Sequence, residues 1–271
     1  MRRCAVRRSV SARLDLLVEE PARLVFIVAV ARGRYGLTEY LDIVRDERQL
    51  DVAELTGPHG TRLHVVDTGP GPVRLEYRAT VAGLDEPSPV DPVDLITYVR
   101  PSRYVESDTM IGLAAAELGH LTGVRLLAGV GRWVSDHLAY VPGSSGPTDG
   151  AATTVLAGQG VCRDYAHVAV AMLRALDVPA RLAAVYAPGL APMDFHAVAE
   201  AYVDGVWRVV DATHLAPRAS LLRISTGRDA ADTAFLSTYH GGVTLLSQEV
   251  TAVVDDADLP VEDWSELVDL R

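Results

Sequence analysis

Apolar positions change their period along this chain, and the change marks its organisation. Over residues 9–83, short apolar runs at 22–31, 62–67 and 73–81 are separated by turn signals such as Gly57-Pro58 and Gly69-Pro70-Gly71-Pro72. Runs of strand length between glycine and proline clusters predict a β-sandwich over residues 1–84. Leu84-Asp85-Glu86-Pro87-Ser88-Pro89-Val90-Asp91-Pro92 then breaks the pattern and reads as a stiff linker, with residues 85–104 as the crossover. Beyond it the period turns helical, at about 108–121 and 123–139, ending near Tyr140. A loop, Pro142-Gly143-Ser144-Ser145-Gly146-Pro147, follows.

A further helix is expected from Cys162. Ala166, Ala169, Val170, Leu173 and Leu176 make one apolar stripe, and Pro179 stops it. A strand is expected at 181–186, then a loop with Pro188, Gly189 and Pro192. Two alternating runs, 196–203 and 206–211, flank Asp204-Gly205, a two-residue hairpin signal. The antiparallel sheet is expected to run to about Val254, closing a unit over 105–256. Residues 257–271 are acidic with Trp264 and Leu267, and predict a short docked helix. Helices packed on one side of an antiparallel sheet give an α+β fold class, here preceded by the all-β domain.

The hairpin register follows from its loop. Val203 pairs with Val206, Asp211 falls opposite Val198 and His196 opposite Thr213. Side chains alternate along a strand, so His196, Val198, Asp211 and Thr213 share a face. His196 and Asp211 are then diagonal neighbours, roughly 5–8 Å apart at Cβ. The other face, Ala197, Ala199, Ala201, Val203, Val206, Val210 and Ala212, reads as core, with Arg208 the exception.

Chemistry enters at Cys162. The run Gly158-Gln159-Gly160-Val161-Cys162-Arg163-Asp164 turns straight into the helix, and a helix N-terminus favours a thiolate. A lone cysteine also reads as a small buried hydrophobe; the paired His196 and Asp211 decide between the two. A thiolate attacks a carbonyl, an imidazole moves the proton and an acid orients the imidazole. The chain has no asparagine, so the third member is a carboxylate or is absent. The Cys162 N–H is the expected oxyanion donor, with Tyr140 and Trp133 as candidates for a second. Asp164 is expected to be a first-turn dipole partner, and His167 to be satisfied in packing.

These residues carry a resemblance. Gly160-Val161-Cys162-Arg163-Asp164-Tyr165-Ala166-His167, Leu176 to Ala180, Phe195-His196-Ala197 and Trp207 to Thr213 resemble the core of bacterial transglutaminase-like proteins, as does the later Gly227-Arg228-Asp229-Ala230-Ala231-Asp232. The resemblance implies a papain-like catalytic domain over 105–256 behind a β-rich domain. It implies Cys162 as nucleophile, His196 as general base and acid, and Asp211 as orienting acid. The chain departs from the family at Val198, where tryptophan is frequent, and at Ala212, where proline is frequent. A thioester resolved by water, in a cysteine hydrolase of peptide or amide bonds, is the first expectation. Resolution by an amine, as in a transglutaminase, is the second, and a non-catalytic peptide-binding module the third. Bacterial relatives of this two-domain type accompany ATP-grasp-type amide ligases, which implies a small peptide substrate.

Composition narrows the partners. A net charge of −11 argues against nucleic acid and anionic membranes. The basic start, Arg2, Arg3, Arg7 and Arg8, is interrupted by Ser9, Asp15 and Glu19 before any signal-peptide core, and the apolar run 24–31 is far too short for a span. A cytoplasmic protein acting on a peptide or protein substrate is expected. Of the two cysteines, Cys4 and Cys162, no disulfide is expected. The eight histidines lack metal-ligand spacing, so neither metal nor cofactor is expected. All 25 basic residues are arginine; absence of lysine together with asparagine points to nucleotide composition rather than self-protection.

Overall fold

Strict alternation builds the first domain. Along β1 (Arg7–Val18), Val10, Ala12, Leu14, Leu16 and Val18 are buried while Ser9, Ser11, Arg13 and Asp15 stay at the surface. The computed structural model describes residues 6–87, 90–255, 258–264 and 266–271. After β1 come β2 (Ala22–Phe26), β3 (Gly36–Arg45), β4 (Arg48–Gln49), β5 (Ala53–Thr56), β6 (Arg62–Thr68) and β7 (Gly71–Ala82). Leu14, Leu24, Phe26, Ile43, Val66 and Leu75 fill the space between two sheets. The sandwich is the expected one, although β1, β3 and β5 carry no turn signal strong enough to have marked them.

The chain then crosses through α1 (Pro92–Thr97), whose cap Asp91 accepts from the Val93 N–H at 2.8 Å. Next come α2 (Ile111–Leu118), α3 (Gly123–His137), β8 (Ala139–Tyr140), α4 (Ala151–Ala157), β9 (Gln159–Gly160) and α5 (Cys162–Ala175). The sheet of the second domain is formed by β10 (Ala180–Tyr186), β11 (Phe195–Val203), β12 (Val206–Val210) and β13 (Leu222–Gly227), all antiparallel, in the order β12-β11-β10-β13. Val203 pairs with Val206 and Ala199 with Val210, the register set by the Asp204-Gly205 turn. Val168 and Leu173 of α5 pack on Ala180, Ala199 and Ala201. The opposite face is covered as well, where Val185, Val198 and Val209 meet Leu270 near the C-terminus.

Two expectations are corrected. The second-domain sheet does not run to Val254. After α6 (Ala230–Thr233), β14 (Leu236–Tyr239) pairs with β2 and β15 (Val243–Val254) pairs with β1 over its whole length. The sandwich sheets are therefore β15-β1-β7-β3-β4 and β14-β2-β6-β5, and the chain returns to its first domain at the end. Alternating apolar residues in 243–254 fit either sheet equally, so only tertiary pairing decides. The C-terminal segment is also not a helix among its described residues. It docks as extended chain: the Val209 N–H donates to the Val268 carbonyl at 2.8 Å, and Arg218 bonds Glu262. Among the described residues no single helix is long and apolar enough to cross a membrane.

Candidate active site

Small side chains bring α5 onto the sheet where the site forms. Ala166, Leu182 and Ala197 pack around Cys162, which is half-buried. Cys162 is the first residue of α5, and the turn before it is pinned. Asp164 is buried and its Oδ2 accepts from the Val161 N–H at 2.8 Å, closing the helix start. Arg163 donates to the Gly146 carbonyl at 2.6 Å and to Ser145, which ties the 142–147 loop to the same turn. The Cys162 N–H is among the first-turn donors that no helical carbonyl can reach.

His196 and Asp211 meet as the hairpin register predicts. His196 Nε2 lies 2.9 Å from Asp211 Oδ2, and the side chains are 0% and 1% exposed. Asp211 follows the last residue of β12, and its other oxygen accepts from the Thr213 N–H at 2.9 Å and the Thr213 hydroxyl at 2.7 Å. With three donors the carboxylate has one orientation. Burial alone would lower the His196 pKa, but the Asp211 charge and hydrogen bond outweigh it, Cys162 adds to them, and the imidazolium is favoured. Burial raises Asp211, and His196 and Thr213 more than reverse it, so the carboxyl is held below its ordinary range. With Nε2 committed to Asp211, Nδ1 makes no hydrogen bond and is the nitrogen left to exchange a proton with Cys162.

Of the two candidates for a second oxyanion donor, the structure brings in one. The parallel pair β8–β9 sets Tyr140 beside Gly160, and the Val141 N–H donates to the Gly160 carbonyl at 3.0 Å. The Tyr140 hydroxyl lies by both the thiol and the N–H of Cys162; burial, then the neighbouring sulfur, push its pKa up to about 12. It therefore stays a protonated donor. Trp133 is corrected: its indole N–H goes to Glu117 Oε2 at 3.3 Å and its ring stacks on His137 at 4.1 Å. It is a buried residue of α3 whose donor is already used. Asp164 acts on the site through the turn it closes. His167 is fully buried, stacks on Tyr104 and accepts from the Ala230 N–H at 3.1 Å, a packing role.

Sequence reasoning missed Thr213 as a donor to Asp211, the Arg163 tie to the loop, and Asp194, two residues before His196. Only Thr213 left a signal, by its computed place opposite His196. Cys4 lies outside the described residues. Among the described residues no three His, Cys, Asp or Glu side chains are grouped to hold a metal ion.

Known proteins share sequence pattern and fold with this chain. The pattern of the transglutaminase-like superfamily matches residues 121–212, which include Cys162, His196 and Asp211. A candidate cysteine protease from Cytophaga hutchinsonii has a similar structure, with TM-score 0.88 and 32% identity over 97% of this chain and 96% of that one. An uncharacterized protein of Mycobacterium leprae (strain TN) is 23% identical over 177 residues, 61% of this chain; the match spans 62% of that relative. The periplasmic domain of TgpA from Pseudomonas aeruginosa is similar at TM-score 0.42 and 21% identity, over 79% of this chain and 89% of that one.

Proposed function

The chain belongs to the transglutaminase-like superfamily, and from that premise we propose that it is a thiol acyl-transfer enzyme hydrolysing peptide or amide bonds. The observation that carries the proposal is the buried 2.9 Å contact of His196 with Asp211, set against a cysteine at a helix start. Cys162 Sγ attacks the substrate carbonyl, and the carbonyl π electrons move to oxygen. The Cys162 N–H and the Tyr140 hydroxyl receive that oxyanion. The imidazolium of His196 gives its proton to the departing amine as the C–N bond breaks, leaving a thioester on Cys162. Neutral His196 then takes a proton from water, whose oxygen attacks the thioester, and the carboxylic acid and the thiol are released. Asp211 holds the imidazole in one orientation throughout.

Water is the proposed acceptor. Val198, where relatives frequently carry tryptophan, is buried on the face packed with Leu270 and builds no aromatic wall over the thiol. The test is a library of peptides and primary amines incubated with the protein and read by mass. Cleavage or deamidation that disappears in Cys162→Ala is the expected result. Predominant cross-linked amide overturns water as the acceptor, and products unchanged in Cys162→Ala overturn the enzyme reading.

A further inference from the structure

We propose that Asp194 is a cation-recognising residue at the rim of the Cys162 site, selecting substrates with an ammonium or guanidinium group close to the attacked carbonyl. The substrate part of this proposal rests on the acyl-transfer reading; the test below does not need turnover.

Asp194 stands immediately before β11 and two residues before His196. Its carboxylate is held by two donors. The Phe195 N–H donates to Oδ1 at 2.7 Å, and the Gln248 side-chain amide donates to the same oxygen. Both bonds fall on Oδ1, so Oδ2 accepts none among the described residues, and no arginine or histidine there lies at ion-pair distance from it. The residue is exposed, yet its charge reaches both His196 and Tyr140, the two groups flanking the thiol.

Its neighbours set this charge apart. Asp211 is taken by His196 and Thr213, and Asp164 by the Val161 N–H and Arg163. Arg163, the cation next to Cys162 in sequence, is committed to Ser145, Gly146 and Asp164. Asp194 is left as a negative charge with no arginine or histidine at ion-pair distance among the described residues, two positions from His196. Such a group attracts a cation brought by the substrate and repels an anion. Gln248 lies on β15, so the returning strand of the sandwich braces the carboxylate and gives the first domain a part in the site.

The test measures Cys162 modification by three methanethiosulfonates, carrying a trimethylammonium, a neutral methyl or a sulfonate group. In each, the thiolate attacks the reagent sulfur, a mixed disulfide forms and sulfinate leaves. Rates are divided by those of free cysteine with the same reagent. The cationic reagent is expected to exceed the anionic one by about tenfold or more, the scale of one charge pair a few Å apart in water-like surroundings. Asp194→Asn, an isosteric change, is expected to lower that ratio severalfold with the neutral rate unchanged. Glu47→Gln, in the β3–β4 turn of the sandwich, is expected to leave the ratio as it was. A ratio unmoved by Asp194→Asn, or moved equally by Glu47→Gln, overturns the proposal, as does an equal fall in all three rates. Such a failure leaves the acyl-transfer reading standing. Conversely, absence of hydrolysis in the peptide assay leaves the charge ratio readable.

Discussion

His196 Nε2 and Asp211 Oδ2 lie 2.9 Å apart with both side chains sealed from solvent, while His196 Nδ1 has no partner. One ring nitrogen is fixed and the other is free to work. Burial disfavours the imidazolium, and the Asp211 charge is the main attraction that offsets it. Asp211→Asn is expected to lower kcat/KM by ~10²–10⁴, the usual range for losing positioned proton transfer. It is also expected to move the alkaline limb of the pH–rate profile to lower pH, because His196 then loses its proton earlier. An alkaline limb that stays in place would contradict the pairing's electrostatic role.

Tyr140 offers a second, separable test. Its hydroxyl sits by the Cys162 N–H and stays protonated at any working pH. Tyr140→Phe is expected to lower kcat by ~10²–10³ with KM little changed, as for one lost oxyanion donor. Alkylation of Cys162 by iodoacetamide, which builds no oxyanion, is expected to be unaffected. Equal losses in both assays would mean that Tyr140 supports the thiol rather than the transition state.

A buried charge cluster behind the site holds the sheet together. Glu200 bonds Arg181 Nε at 2.9 Å and Arg223 at 2.7 Å, and the Arg181 guanidinium lies 4.0 Å from the Trp207 ring centroid. Burial pushes the Glu200 pKa up, and the two arginines outweigh it, bringing it down to about 2. Glu200→Gln leaves two buried guanidinium groups short of a countercharge and is expected to cost ~3–5 kcal/mol. A lower urea midpoint at constant slope is the readout.

Stability is expected to peak near pH 6.5, from histidines shifted in opposite directions. Burial lowers His167 and His59 to about 4, so the unfolded chain binds more protons between pH 6.5 and 4. Their contribution is present above pH 6.5 and is lost as pH falls through that window. His196 is raised to about 10, so the folded chain binds the extra proton above pH 6.5, and this contribution is lost as pH rises toward 10. Urea unfolding across pH 4–10 checks both slopes, and His196→Ala should flatten the alkaline one.

The site was more legible in the sequence than the domain that frames it. Asp204-Gly205 fixes the hairpin register, and register places His196 beside Asp211 without further information. Gly158, at φ 65, ends α4 and lets the chain turn into α5, which is why the glycine-rich run located Cys162. What the sequence left open depends on distant partners. β15 alternates as an edge strand of either domain would, and its pairing with β1 joins residues more than two hundred positions apart. Trp133 and Tyr140 were equal candidates because each carries one donor. Glu117 takes the first and the β8–β9 pairing delivers the second. Asp194 gave no pattern at all, since its meaning comes from Gln248 across the domains.

The central claim is that Cys162 forms a thioester with help from His196. The most direct measurement is rapid-quench intact-mass analysis of the protein mixed with a small activated ester such as p-nitrophenyl acetate. A burst of p-nitrophenolate, an acetyl group mapped to Cys162, and its decay to free acetate are expected. Cys162→Ala should show no burst, and His196→Ala should slow both formation and decay. Acetylation no faster than that of free cysteine, or located on another residue, would rule out Cys162 as the nucleophile.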